Sequence, residues 1–470
     1  MLLIAVTGPV GAGKTTLLAT LAAWSRAQGR PADGFVSRAV RRFQPHMGAA
    51  GYDLEWVRDG TTRRFASRTG RGVPAYTFSD QALVEARDWA RRLRDEPPRP
   101  LVVLDEFGRL EAAGGGHVLL WPDLVAAAPD IVVLSVREGL VETIAGQLGR
   151  PFDLVVDARS PDAWERLRAA CREHEDWQRV GTYGAGAGSI EVGLGSALHG
   201  LHVPGRGMIL SGLQAAVMTA AGSGLGRRRR VVWVPFISAG LKALSPAGSR
   251  LRPMLAITIQ GLLFSGATSL LGWNVLGVAV GGWLVGAWAA AQGIALQYLL
   301  VGDDLLRAYT FLTDWLTRHL GIAHPAVGAA IAGWIGLGGL VAMAAALHVH
   351  RRRELPARFR ELMARRLEGL AEIDAPPSRT RALQEGLRDL ARPVFWLPLA
   401  VIGTVVLAAG ARWEELFWMI LRAVTVGFVL FSLARSFRPR RLVGWLRERG
   451  HWGPALALER ALRREDREES

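Results

Sequence analysis

The sequence predicts an α/β domain with a mostly parallel sheet and a β-hairpin insert, followed by an all-α polytopic membrane domain. Three observations carry that prediction. A glycine-rich loop stands between a short apolar strand and a helix near the N-terminus. Strand and helix patterns then alternate from Met1 to Val180, with charge mixed among the apolar positions. Beyond them, no Asp, Glu, Lys or Arg occurs between Met254 and Val301, enough chain for two crossings at about 20 residues each.

The first element is Leu2-Leu3-Ile4-Ala5-Val6. It lacks the positive flank and the length of a secretory signal and reads as a buried strand. It runs into Gly8-Pro9-Val10-Gly11-Ala12-Gly13-Lys14-Thr15-Thr16, which contains G-x-x-x-x-G-K-T in full, and Leu17 to Trp24 continue as a helix. Strand before and helix after is the context a P-loop requires. Its glycines let successive N–H groups converge into an anion nest at a helix N-terminus. Lys14 is placed to reach the β- and γ-phosphates of a nucleoside triphosphate, and the Thr15 hydroxyl to ligate Mg²⁺. Thr16 caps or packs.

Tyr52 to Val57 and Thr61 to Ala66 flank Arg58-Asp59-Gly60, and Asp-Gly is a strong tight-turn signal, so this insert reads as a hairpin. Ser79 to Arg94 fits a helix. Leu101-Val102-Val103-Leu104 is a second buried strand and ends in Asp105-Glu106. A carboxylate there suits the Mg²⁺ shell, which assigns Asp105 to the metal and Glu106 to orienting the attacking water. Gly114-Gly115-Gly116-His117 reads as a flexible loop whose histidine is exposed more readily than it is bound to phosphate. Pro122 to Ala128 and Pro161 to Arg179 fit helices, and Ile131 to Val136 and Phe152 to Val156 fit strands. Arg109 and Arg137 are candidate neutralisers of phosphate charge, with surface salt bridges the alternative.

At this point the chain resembles a known family. GPVGAGKTT, ADGFVSR (Ala32 to Arg38), GYDLEW with RDGTTRRFA (Gly51 to Ala66) and LVVLDEFGRLE (Leu101 to Glu111) occur in that order. Together they resemble the small P-loop nucleoside-triphosphatases first known from thermophiles, which hydrolyse NTPs with little base selectivity. The resemblance covers about residues 1–180, and the chain carries Phe107 and Arg109 where the family commonly has an apolar residue or proline.

The chain has 470 residues, with 57 Lys+Arg against 42 Asp+Glu, a formal net charge of +15, and half its residues apolar. The length suggests two to four domains. Its one cysteine, Cys171, excludes an internal disulfide framework and a Cys-rich zinc site; in a charged run it reads as a bland thiol. A basic balance often signals nucleic acid, but here Arg227 to Arg230, Arg351 to Arg353 and Arg438 to Arg441 stand beside apolar stretches. That is the pattern of cytoplasmic loops, so no nucleic-acid partner is expected.

Charge density collapses near Gly181 to Gly188, which marks the expected boundary. Beyond it lie six clear spans, Met208–Leu225, Met254–Gly272, Val275–Leu300, Ala326–His348, Val394–Ala409 and Leu416–Ala434. Two weaker ones are Ile190–His202, which holds Glu191, and Val231–Leu244, which holds Lys242. With the nucleotide domain in the cytosol, eight crossings put all three arginine clusters and the C-terminus on the cytoplasmic side of the cell (inner) membrane. The resulting organisation is residues 1–180, a membrane domain over 181–350 of about six spans, a cytoplasmic helical segment over 351–392, two spans over 393–436 and a basic tail over 437–470.

In the helical segment, Leu355, Phe359, Leu362, Met363, Leu367, Leu370 and Ile373 make one apolar face. It lies either on lipid or against the nucleotide domain. Glu191, His199, His202 and Arg206 cluster at the start of the membrane region, with Gln214 and Gln260 deeper; Glu191 either touches a substrate or faces water. The Gly-rich spans look weakly like the substrate-binding membrane subunits of vitamin importers. The expected function is a membrane-integrated NTPase with Mg²⁺ as cofactor and nucleoside triphosphate, the lipid bilayer and a small solute as partners. Hydrolysis would energise or gate solute movement. The alternative is a membrane-tethered nucleotide phosphatase or kinase; an anchor needs only one span, which favours transport.

Overall fold

The computed structural model describes residues 1–40, 49–69, 76–97, 99–200, 205–244, 251–353, 355, 379–436, 439–449 and 451–463. The chain divides into two compact units, Met1–His174 and Glu175–Ser470.

The first unit is built on an eight-stranded sheet in the order β5-β4-β3-β2-β6-β7-β1-β8. Strands β1 (Leu2–Gly8), β2 (Ala32–Val40), β6 (Leu101–Phe107), β7 (Ile131–Arg137) and β8 (Leu154–Asp157) form its parallel part. Strands β3 (Gly51–Trp56), β4 (Thr62–Arg68) and β5 (Tyr76–Phe78) extend it antiparallel beyond β2. The hairpin expected from Asp59-Gly60 is therefore the edge extension of the main sheet. Leu3, Ile4, Val102, Val103, Leu104, Val132 and Val133 have less than 3% exposure, because a parallel sheet covered on both faces buries continuous apolar runs. The covering helices include α1 (Lys14–Ala27) and α2 (Asp80–Asp95), with Leu18 and Leu21 of α1 on one face and Ala86, Trp89 and Leu93 of α2 on the other. Gly34 permits the close approach of β2 to β6. A Cβ there would stand 1.9 Å from the Val103 carbonyl oxygen, and its φ is +106°.

Between β6 and β8 lie α3 (Arg109–Ala112), a 3₁₀ turn at Gly116–Leu120, α4 (Trp121–Ala127) and α5 (Val141–Leu148). The glycine run expected to be a flexible loop is thus followed directly by ordered structure. Cys171 is buried, which pushes its thiol up to about 12 and leaves it an inert packing group.

α6 runs from Ala163 to Gly200, so the Gly181–Gly188 stretch, where the boundary was expected, lies inside a continuous helix. The division falls before it, at His174, for a physical reason. Within the second unit these glycines admit neighbouring helices: Gly181 meets the Ala457 backbone, Gly184 meets Ile237 and Gly188 meets Leu241.

The second unit is all-helical in its described residues. It contains α7 (Arg206–Ser223), α8 (Trp233–Leu244), α9 (Leu251–Leu270), α10 (Val275–Val301), α11 (Asp304–Leu320) and α12 (His324–Arg352). It continues with α13 (Arg379–Leu390), α14 (Pro393–Ala408), α15 (Trp413–Ser436), α16 (Pro439–Glu448) and α17 (Trp452–Arg463). Among the described residues, four helices are long and apolar enough to cross a membrane: Pro253–Leu270, Val275–Val301, His324–Arg352 and Trp413–Ser432. Of the other four segments expected to span, Val231–Leu244 is a 3₁₀ turn plus the 12-residue α8, and Val394–Ala409 is the 16-residue α14. Ile190–His202 is largely the end of α6, and Met208–Leu225 is α7. The apolar face from Phe359 to Ile373, together with His202 and Arg438, lies outside the described residues.

Small residues bring α10 and α12 together, with Gly286 against the Gly338 carbonyl and Gly282 against Met343 and Ala346. The pairing order makes the two helices antiparallel, so the start of α10 and the end of α12 share one end of the unit. Arg228 reaches that end too: it donates to the Trp273 carbonyl at 3.4 Å and stacks over the Trp273 ring at 5.8 Å. The loop after α7 is fastened by Asp176, which accepts from the Gly226 and Arg227 amides and from Arg230 at 2.9–3.1 Å.

Candidate active site

Five parallel strands deliver their carboxyl ends to one edge, where β1 passes into the P-loop. Gly11 and Gly13 take φ values of +84° and +88°, which turn the loop into the N-terminus of α1. Val10 and Thr16 are exposed, whereas Gly8 is buried against Asp157 and Ala158. Pro9 and Ala12 close the turn, the Ala12 amide donating to the Pro9 carbonyl at 3.2 Å. Lys14 folds over its own loop and donates from Nζ to the Gly8 and Pro9 carbonyls, both at 2.8 Å.

Thr15 Oγ1 donates to Asp105 Oδ2 at 2.6 Å. Asp105 is 1% exposed and accepts three further hydrogen bonds. The Ser37 amide reaches Oδ2 at 3.0 Å, the Glu106 amide reaches Oδ1 at 3.0 Å, and the Ser135 hydroxyl also donates to Oδ1. Four donors fill the approximately four accepting positions of a carboxylate, so Asp105 is a fixed hub joining β6, β2, β7 and α1.

Glu106 follows immediately, at a break in the β6–β7 register between Leu104 and Phe107. Its φ is +66°, a left-handed conformation costing a residue with a Cβ about 1–2 kcal/mol. The Glu106 amide is held by Asp105 and by Ser135 Oγ at 3.0 Å, which sustains the strain and turns the side chain out toward the open site. Glu106 is exposed to solvent, with Asp105, Lys14, Glu111 and Arg137 near enough for their charges to act on it. Partial desolvation, reinforced by the Asp105 charge, lifts its pKa to about 7, while Lys14 and Arg137 oppose the rise. A carboxyl titrating near neutrality is matched to general-base work.

Arg137 ends β7 in register with Gly8, and its charge acts on Glu106. Arg109 opens α3 and is exposed. His117 has neither role considered for it. It is buried between Phe35, Phe65 and Phe107, with ring centroids 4.7, 4.9 and 6.3 Å away, and neither ring nitrogen has a hydrogen-bond partner. Burial lowers its pKa to about 3, so it is a neutral core ring.

Sequence reasoning missed Ser37, Ser135, Tyr52 and Glu111. Ser135 is the polar interruption of an otherwise apolar strand, a signal that could have found it. Tyr52 stands near enough to feel the Glu106 and Asp105 charges; burial first, then Glu106, then its neighbour Tyr76 and last Asp105 push its hydroxyl up to about 12. Glu111 is buried and accepts from the Gly108 amide at 2.9 Å and the His117 amide at 3.2 Å, closing the loop that follows Glu106.

The Thr15 hydroxyl, backed by the saturated Asp105 carboxylate, and the buried, partnerless Ser37 hydroxyl, whose own amide donates to Asp105, offer oxygen chemistry only, which is what hard Mg²⁺ requires. Among the described residues, no group of three or more His, Cys, Asp or Glu could hold a metal by itself. That sparse set fits Mg²⁺, which commonly takes one or two protein ligands beside substrate phosphates and water.

A family model described as NTPase matches residues 3–116. A cancer-related nucleoside-triphosphatase homolog from Bos taurus is 30% identical over 165 residues, covering 33% of this chain and 81% of that protein. No solved structure matches the chain.

Proposed function

The chain belongs, through its N-terminal unit, to the NTPase family, and from that premise we propose a Mg²⁺-dependent nucleoside-triphosphatase integrated in a membrane. The observation that carries the catalytic part is the Thr15–Asp105 hydrogen bond with strained Glu106 beside it. It joins a P-loop hydroxyl to a fixed carboxylate and sets a near-neutral base at the same edge.

In this reading the N–H groups of Val10, Gly11, Ala12 and Gly13, with those of Lys14, Thr15 and Thr16 at the start of α1, cradle the phosphates, while Gly8 and Pro9, the latter without an N–H, shape the loop. Lys14 exchanges its two carbonyl partners for the β- and γ-phosphate oxygens, a stronger charge-assisted bond. Thr15 would hold Mg²⁺ with its hydroxyl lone pairs while its O–H stays directed at Asp105, which acts on the metal through Thr15. Bound Mg²⁺ supplies charge neutralisation on the phosphate oxygens. Glu106 accepts a proton from the attacking water, and Arg137 offsets charge that develops beside it.

The C-terminal unit is read as crossing a cell membrane, with the N-terminal unit and the C-terminus cytoplasmic. Hydrolysis then energises or gates movement of a small solute. Supporting this, Glu191 is buried, and Lys242, itself buried, donates to its carbonyl at 2.9 Å and faces its charge inside the helical unit. Such groups are costly in a membrane and tend to be kept for function. The test is NTP hydrolysis by the full chain in liposomes, with and without candidate solutes, in wild type and Glu191→Gln. Solute-stimulated hydrolysis lost in the variant supports coupling; hydrolysis indifferent to every solute and to the variant favours a tethered nucleotide enzyme. Absence of Mg²⁺-dependent hydrolysis overturns the whole reading.

A further inference from the structure

Two arginine-rich segments far apart in the sequence converge at one end of the second unit. Arg227, Arg228 and Arg229 follow α7, and Arg351, Arg352 and Arg353 finish α12; all six are exposed. Their convergence follows from the antiparallel packing of α10 on α12, which puts the start of α10 beside the end of α12, where Gly282 meets Met343 and Ala346. Trp273 stands at the same level, under the Arg228 guanidinium. Arg353 ends α12 at a φ of +59°, a conformation that favours glycine, so a cation is kept where the backbone alone would prefer none.

Beside these arginines, Ala344, Leu347, His348, Arg351 and Arg352 line a cleft of about 420 Å³. Ala344 and Leu347 offer aliphatic wall; Arg351 stands about two helical turns beyond Ala344 and one beyond Leu347, with Arg352 next to it at the charged end of α12. An apolar slot with a guanidinium rim matches an amphiphile with an anionic head, and arginine forks suit phosphate oxygens.

We propose that this end of the second unit is a binding site for anionic phospholipid, with the phosphate head on Arg351, Arg352 and Arg228 and acyl chain along Ala344 and Leu347. The site rests on the membrane reading given above and adds a lipid preference to it. Each arginine near an anionic surface contributes about a fivefold gain in lipid affinity, so several acting together discriminate strongly between anionic and zwitterionic headgroups.

The test uses the full chain, first floated with vesicles of phosphatidylcholine alone and of phosphatidylcholine with phosphatidylglycerol. Native mass spectrometry in neutral detergent then measures retained phosphatidylglycerol in wild type, Arg351→Gln/Arg352→Gln, Arg228→Gln and Arg318→Gln. Arg318 lies near the end of α11, in the stretch joining α10 to α12 at the opposite end of that pair, and serves as the control. Expected are preferential retention of phosphatidylglycerol, a loss of about 25-fold in the double variant and about fivefold in Arg228→Gln, and little change in Arg318→Gln. NTP hydrolysis reports that the variants remain folded. Equal retention across all variants overturns the site, as does full displacement by millimolar inorganic phosphate, which would make it a free-anion site. Failure to float with either vesicle overturns membrane integration itself, whereas flotation without lipid preference overturns only this inference.

Discussion

Thr15 and Asp105 are ninety positions apart in the chain, yet the threonine hydroxyl donates to the aspartate carboxylate at 2.6 Å. That bond couples the first turn of α1 to the end of β6. It also fixes which way the Thr15 lone pairs face, since its one proton is committed to Asp105.

Thr15→Val is expected to keep the fold while removing that coupling. One accepting position of Asp105 loses its donor, at a cost of about 1–3 kcal/mol, and Mg²⁺-dependent hydrolysis falls by at least about 100-fold. Steady-state rates over a Mg²⁺ titration check it; an unchanged Mg²⁺ dependence would remove Thr15 from the metal site. Lys14→Ala should abolish hydrolysis outright, and a near wild-type rate would end the P-loop assignment.

Glu106→Gln should bind Mg-NTP as wild type does and turn it over about 100 to 10,000 times more slowly, the size of a lost general base. Nucleotide binding measured beside single-turnover rates separates the steps. Lost binding with normal turnover per bound nucleotide would make Glu106 a metal ligand instead.

The same carboxyl sets a pH dependence. Because its pKa is raised to about 7, the proton-accepting form is the minority below that pH and the majority above it. The rate should therefore climb with unit slope up to about pH 7 and then level. Arg137 holds the pKa down, so Arg137→Gln should move the rising limb to higher pH. A limb that stays in place under Glu106→Gln would assign it to another group.

Ser135→Ala takes a donor from Asp105 and a partner from the Glu106 amide in one change. Turnover should drop more than nucleotide affinity, because the strained Glu106 backbone loses a restraint while the P-loop is untouched. Ser135→Thr, which keeps the hydroxyl, should recover part of the loss; a fall in melting temperature with unchanged turnover would make Ser135 merely structural.

His117→Phe should leave hydrolysis within about twofold of wild type, since the ring sits among Phe35, Phe65 and Phe107 with both nitrogens unpartnered. Removing two unsatisfied buried polar atoms offsets the small increase in volume, so thermal stability should hold or rise. A large loss of turnover would return His117 to the active site.

The sequence by itself determined whatever depends on neighbours in the chain. Gly8 to Thr15 carry the P-loop pattern, and its turn and helix N-terminus were legible because consecutive residues supply both. The Arg58-Asp59-Gly60 turn was legible for the same reason. The apolar runs of β1, β6 and β7 announced a sheet buried on both faces, and the charge-free stretch from Met254 to Val301 announced long apolar helices. Only the tertiary structure decided what depends on partners from other elements. It brought Ser37, Ser135 and Thr15 onto one carboxylate, bent Glu106 into a left-handed turn and sank His117 among three phenylalanines. It also placed Gly181, Gly184 and Gly188, where a boundary was expected, inside a helix as contacts for its neighbours, and set Arg228 beside the end of α12. A strand's register with its neighbours and a helix's packing face are not encoded in any short window, so hydrogen bonds and charges that cross between elements become readable only once the chain has folded.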